Sequence, residues 1–240
     1  MPIAKEGLRE IAIATVLLGG LAAAAWWLFW PAAILFLIVW LGILAFFRNP
    51  QRHPTGEVGE LCAPADGTIT EISKLDHHET IGGPAVRIGI FLSILDVHVN
   101  RSPCAGTVRS IDHRKGRFLD ARHPESGERN EASTMILDTD DGMPGPIVVR
   151  QVAGKVARRI VCHAGVGDRM PMGHRFGMIK FGSRTELIFP LLRETEVPAG
   201  VGDKTKAGLT ILARQGSALM QRSKCEKAGP DAVEKQEVTM

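Results

Sequence analysis

Residues Lys180–Pro190 read KFGSRTELIFP, and the second half of that stretch is written as a strand. Thr185, Leu187 and Phe189 alternate with Arg184, Glu186 and Ile188, the period of two that sends successive side chains to opposite faces. The first half fits that role poorly. A Gly182-Ser183 pair stands at the mouth of the strand, after GHRFGMIKF, which holds two more glycines. A serine directly after glycine can bring its hydroxyl oxygen onto the carbonyl carbon of its own preceding peptide bond, and glycine gives the least hindrance on the acyl side. That attack exchanges an amide for an ester. Elimination then leaves dehydroalanine, which hydrolyses to a pyruvoyl group. A plain strand-opening turn is the bland reading of the same two residues.

The chain around this strand is rich in short apolar runs broken by glycine and proline. Candidate strands are Gly67–Ile72, Ala85–Phe91, Gly106–Ile111, Ser133–Asp138, Ile147–Ala153, Val156–Val161, Arg184–Phe189 and Leu209–Ala213. Their spacing predicts a mostly β domain, a β-rich α+β module of sandwich or barrel type, over residues 48–220. His113–Ala132 is a polar connection, long enough to expect a functional or mobile loop. Ser217–Lys227 reads as a helix or as part of a loose tail, with residues 221–240 polar. Cys62, Cys104, Cys162 and Cys225 form no CxxC pair and read as reduced thiols. A net charge of +3 with 23% charged residues gives no nucleic-acid stripe, though the basic balance suits an anionic membrane surface.

Residues 1–10 form a short flank, and 11–47 carry no charged side chain at all. As one helix these 37 residues would run roughly 55 Å, against a hydrocarbon core of about 30 Å. Pro31, in Leu28-Phe29-Trp30-Pro31, divides the run into two legs of about 18 residues, each able to span. Lys5 and Arg9 before it, and Arg48 and Arg52 after it, favour a hairpin with both flanks cytoplasmic. The alternative is a single tilted span.

Three further stretches offer chemistry. LCAPADGTI puts Asp66 in a turn before glycine, where aspartate is usually a turn former. FLSILDVHVNRSPCAG puts Asp96, His98 and Arg101 in one strand, with Asp96 and His98 on one face so that one can orient the other. His77, His78, His98 and Cys162 offer a metal reading, but without the short spacings of structural zinc. A non-catalytic, membrane-tethered β-sandwich adaptor would also explain the anchor and the strands.

Taken together and in this order, PADG, D-x-H-x-x-x-x-P-C-x-G, GERNE and GHRFGMIKFGSR resemble phosphatidylserine decarboxylase of the short, membrane-anchored bacterial type. The likeness runs from about Pro50 to Gln215. It implies a proenzyme that cuts itself between Gly182 and Ser183, leaving a larger chain ending at Gly182 and a smaller one opened by a pyruvoyl group made from Ser183. The two chains stay associated, and the state of oligomerisation is left open. The resemblance assigns Asp66 and His98 to catalysis. It finds Arg101 where the family's D-x-H-x-x-H pattern has a second histidine, and arginine is no base at neutral pH. His163 is the substitute to watch, and Arg101 becomes a candidate for holding the lipid phosphate or carboxylate. The implied reaction takes phosphatidylserine to phosphatidylethanolamine and CO2 at the cytoplasmic face of the inner membrane. The head-group amine joins the pyruvoyl carbonyl, and His98 returns a proton to carbon. No metal or nucleic acid is implied.

Overall fold

The computed structural model describes residues 2–54, 56–123, 125–140, 143, 145–155, 159–180 and 182–215. The Ser217–Lys227 helix expectation and Cys225 lie outside them.

Helix α1, Leu8–Phe46, takes up nearly all of the uncharged run and is apolar enough to cross a membrane. It does not run straight. Phe29 leaves helical geometry (φ −161°, ψ 88°) two residues before Pro31, where the proline ring disfavours continuation. Trp40 Nε1 donates to Thr15 Oγ1 at 2.9 Å. On a straight helix those residues would stand roughly 37 Å apart. The two ends meet as well: Ala4 N donates to Phe47 O and Asn49 N to Pro2 O, each at 2.8 Å. The helix therefore folds back on itself, and its flanks leave side by side.

The remainder is mostly strand. In chain order these are β1 (Glu60–Cys62), β2 (Gly67–His78), β3 (Gly83–Leu92), β4 (Val99–Arg101), β5 (Gly106–Arg114), β6 (Ala132–Thr139), β7 (Ile147–Val152), β8 (Ile160–Cys162), β9 (Arg169–Met170), β10 (Arg175–Ile179), β11 (Ser183–Pro190), β12 (Lys204–Thr205) and β13 (Ile211–Arg214). Eight form one sheet in the order β12-β2-β3-β11-β7-β6-β5-β9, a second sheet is β4-β10-β8, and β1 pairs with β13. The mostly β reading is borne out. The candidate strands fall on real ones, with β2, β3 and β5 longer than their apolar cores suggested. Only Ile160–Cys162 of the Val156–Val161 region is a described strand.

β11 lies inside the large sheet, antiparallel to β3 along all eight residues (Ser183↔Leu92 through Pro190↔Ala85) and to β7 from Arg184 to Ile188. One face is apolar: Leu187 and Phe189 join Ile88, Ile90, Leu92, Val149 and Leu137 in the main core. Each such fully buried side chain contributes about 1.5–3 kcal/mol. The other face is charged and yet also buried, since every β11 residue is sequestered. Glu186 receives Arg150 (2.5 Å) and Arg184 (2.9 Å), Arg184 also pairs with Glu71, and Glu71 takes Arg87 at 2.7 Å. Burial alone would raise the Glu71 carboxyl, but the hydrogen bonds from Arg184, Arg87 and Ser73 outweigh it and hold it at about 2.

The long polar connection supplies part of the cover. It is ordered rather than loose. Asn130 donates to Leu119 O (2.9 Å) and Ala153 O (2.7 Å) and accepts from Leu119 N (2.9 Å), while a one-turn helix, α2 (Ser126–Arg129), lies against Glu186 at Gly127.

Candidate active site

Ser183 opens β11 fully buried, and its Oγ has no hydrogen-bond partner. Gly182 before it sits at φ +63°, in the left-handed region that glycine enters without penalty. Its carbonyl lies over Gly154: a Cβ on Gly154 would stand 2.0 Å from Gly182 O and 3.1 Å from the carbonyl carbon. Only glycine at 154 lets the Gly182-Ser183 peptide occupy this position. A cavity of about 340 Å³ opens beside it, lined by Phe91, Ser93, Ile94, Ala121, Lys155 and Gly182 among others. Asp120 and Arg122 of the long connection complete the wall, so that loop does flank this bond.

His98 reaches the same end of β11 through β10. Ile179 N donates to His98 O at 3.3 Å, and the chain passes from Ile179 to Ser183 in four residues. β4 belongs to the smaller sheet, and its Asn100 Nδ2 donates across to Thr185 Oγ1 of β11 at 3.2 Å. His98 immediately precedes β4, two residues before Asn100.

The His98 ring is fully buried, tilted against Phe46 at 4.3 Å between centroids. Its Nδ1 is hydrogen-bonded to Asp96 O at 3.0 Å, which leaves Nε2 buried and without a partner. Burial drives its pKa down to about 4, with Arg48 assisting, against the opposing pull of Asp96 and Asp66. At neutral pH His98 is uncharged, and with a proton held on Nδ1 its Nε2 is an acceptor.

Two expectations about its neighbours need correction. Asp96 does not orient His98 through its carboxylate, which instead accepts from Ser93 N (2.8 Å) and Ser93 Oγ (2.7 Å). Those bonds close a turn, so only Val99–Arg101 is strand where one strand from Asp96 to Arg101 was expected. The backbone carbonyl of Asp96 does the orienting. Arg101 donates to Gly173 O (3.0 Å), Pro50 O (2.9 Å) and Asn49 Oδ1 (3.3 Å), and lines a different cavity of about 440 Å³ with Arg52, His53 and Arg175. It ties the end of the anchor to the domain and is not among the residues lining the cavity beside Gly182.

Asp66 is held by both carboxylate oxygens. Arg52 donates to them at 2.5 and 2.7 Å, and Ala207 N donates at 2.8 Å. Its charge reaches His98, but no hydrogen bond joins the two. His163 faces Glu6, which also pairs with Arg175. The groups of the metal reading do not converge: among the described residues no three His, Cys, Asp or Glu side chains cluster.

The sequence reading passed over four residues that shape this site. Of Gly154, Asn100, Gln151 and Phe46, two were readable in part: Asn100 lies two residues after His98, and Gln151 interrupts the apolar run Ile147–Ala153. Phe46 gave no signal, because nothing in an apolar segment says which ring will dock on the domain. Phe46 and Phe47 pack with Val97, Val99 and Met178, and Lys180 Nζ reaches Glu10 Oε1 (2.5 Å) and Glu6 O (2.9 Å). The base of the helix is thus part of the site's wall.

A β domain of this topology, fused to an apolar helix and holding a Gly-Ser bond at the start of a central strand, belongs to the phosphatidylserine decarboxylase family, whose profile matches residues 42–213. Among its relatives, the phosphatidylserine decarboxylase proenzyme of Rhodopirellula baltica is 44% identical over 215 residues, covering 89% of this chain and 88% of the relative. That of Geobacter sulfurreducens is 43% identical over 213 residues, covering 88% and 95%.

Proposed function

We propose that this chain decarboxylates the serine head group of phosphatidylserine to give phosphatidylethanolamine and CO2, with a pyruvoyl group that it makes from Ser183 by cutting itself after Gly182. One observation carries the reading: a buried, unpartnered Ser183 hydroxyl directly after a left-handed glycine whose carbonyl is seated over Gly154. The relatives' description as proenzymes supports a maturation cut.

In maturation, neutral His98 Nε2 takes the hydroxyl proton as Ser183 Oγ bonds to the Gly182 carbonyl carbon. The C–N bond of that peptide breaks, and the proton returns from His98 to the departing nitrogen. His98, neutral again, then takes the Ser183 Cα proton as the Cβ–Oγ bond breaks, which releases Gly182 as a carboxylate and leaves dehydroalanine at 183. Water then replaces the nitrogen, which leaves as ammonia. The pyruvoyl group, once formed, supplies an electron sink for loss of CO2. His98 serves again in turnover. Its Nε2 accepts the proton that the head-group ammonium must shed, holds it while CO2 departs, and delivers it to the carbon left behind. Asp66 moderates His98 through its charge and, with Arg52, fixes the turn where the anchor meets the domain. Lys155, on the wall of the cavity beside Gly182, is placed for a lipid phosphate better than Arg101 is.

A bilayer substrate agrees with the surroundings. Ile94 and Leu95, 59% and 84% exposed, tip the loop over this cavity, and Arg48 at the end of α1 donates to Leu95 O at 2.5 Å. The two legs of α1 would cross the inner membrane with both flanks cytoplasmic. Intact mass spectrometry of the purified protein tests the whole reading. It should give one piece ending at Gly182 and a smaller one with a blocked amino terminus and a carbonyl that borohydride reduces. A full-length chain that still releases CO2 from phosphatidylserine overturns the pyruvoyl mechanism.

A further inference from the structure

We infer that Gln151, steadied by Asn100, forms with His98 a binding subsite for the amine of the head group. This deepens the function proposed above and rests on it.

Gln151 is 1% exposed and lies on β7 directly opposite Thr185 of β11, so that Ser183 is its diagonal neighbour on the same face. Its Nε2 donates to Asn100 Oδ1 at 2.8 Å. Asn100 Nδ2 is itself committed, to Thr185 Oγ1 at 3.2 Å and Pro64 O at 3.4 Å. A backbone carbonyl only accepts, so the Pro64 contact fixes which way the Asn100 amide faces, and that fixes Gln151 in turn. The consequence is that Gln151 Oε1 is buried with nothing donating to it. Such an orphan is costly to keep and calls for an explanation.

Two more buried groups have no partner: Ser183 Oγ, on the diagonal from Gln151, and His98 Nε2, two residues before Asn100. Conversion of Ser183 to a carbonyl removes the one donor of the three. What remains of the unpartnered set is acceptors only: a carboxamide oxygen and a neutral imidazole nitrogen. An ammonium brings three donors and no acceptor, so its chemistry is complementary to this set. The choice of a carboxamide matters. A carboxylate at 151 would favour the charged amine, whereas Gln151 Oε1 holds an N–H without opposing proton transfer to His98. The polar pair Asn100–Gln151 thus supplies head-group recognition in a chain where Arg101 is spent on backbone carbonyls.

The experiment uses the purified full chain and two separate readouts. Borohydride labelling of the smaller piece reports whether the carbonyl exists. Reductive capture of 2-aminoethyl phosphate with cyanoborohydride, followed as added mass on that piece, reports amine recognition through its half-saturating concentration. Gln151→Met should cut and take borohydride label like the wild type, while that concentration rises about tenfold or more, the scale expected on losing a hydrogen bond to a charged donor. Gln151→Glu, which keeps an acceptor but favours the charged amine, should fall between Gln151→Met and the wild type. Unchanged capture by Gln151→Met overturns the inference. If Gln151→Met does not cut, Asn100→Ser, which frees the Gln151 amide to turn, must show the same rise, and unchanged capture there overturns it too. A wild-type protein that takes no borohydride label defeats the pyruvoyl reading instead, a result distinct from either of these.

Discussion

The two faces of β11 bury polar groups equally deeply and treat them in opposite ways. Arg184 and Glu186, 4% and 1% exposed, sit in a ladder in which each charge meets an opposite one, from Arg150 across to Arg87. Ser183, on the other face of the same strand, is fully buried with an idle hydroxyl, and Gln151 and His98 nearby each keep an idle acceptor. A buried ion pair broken on one side costs several kcal/mol, so the ladder is built to be complete. Unpartnered groups cost about 1–3 kcal/mol each, and the site retains three. The contrast separates what holds the sheet together from the groups that the proposed chemistry would use.

Substitutions on each face should have opposite signatures. Ser183→Ala should abolish cutting and activity entirely, giving one full-length chain by mass. Because it removes a hydroxyl that has no partner, its melting temperature should match or exceed that of an uncut wild type. Loss of stability in Ser183→Ala would mean that the hydroxyl is bonded after all. Glu186→Ala should do the reverse. It strands Arg150 and leaves Arg184 with Glu71 alone, costing about 3–5 kcal/mol in urea unfolding, while the chain still cuts itself.

A smaller effect follows from His98. Its folded pKa, at about 4, lies below the ordinary value of 6.5, so the unfolded chain binds the extra proton first. Stability from this group is complete above about pH 6.5 and falls as pH drops toward 4, by roughly 3 kcal/mol in total. Urea midpoints across that window should fall in the wild type, and His98→Phe should flatten that part of the slope. An equal slope in both would assign it to other groups. The smallest effect belongs to the exposed Arg109–Asp138 pair, about half accessible on each side. Arg109→Ala should change stability by less than about 1 kcal/mol and leave cutting untouched.

How much of this was legible in the sequence varied with the range of the interaction involved. Period-two alternation located β11, and the lengths and flanks of residues 11–47 suggested a hairpin, because both are local properties. The proposed cut at Gly182-Ser183 rests on the chemistry of two adjacent residues, which is also local. The placement of Arg101 was not legible: its type suits an anion, but its partners, Pro50 and Gly173, lie about fifty and seventy residues away. Asp96 misled in a similar way, since a carboxylate two residues from a histidine orients it only if no nearer donor claims it, and Ser93 does. Gly154 is the extreme case. Its purpose exists only where Gly182 crosses it in space.

The place of Ser183 as the first residue of a strand paired on both sides has a consequence for the direction of time in this molecule. A cut before Ser183 severs no strand and disturbs no pairing, since β3 and β7 still grip the new end. Once unfolded, however, the cut protein is two molecules, and they must find each other before β11 can fill the gap in the sheet. Folding that began as a unimolecular event becomes a second-order one, slowed by dilution. The proposed two-chain form would then be held by the memory of having folded as one, and its durability would be set by how slowly β11 unzips rather than by how readily it would return.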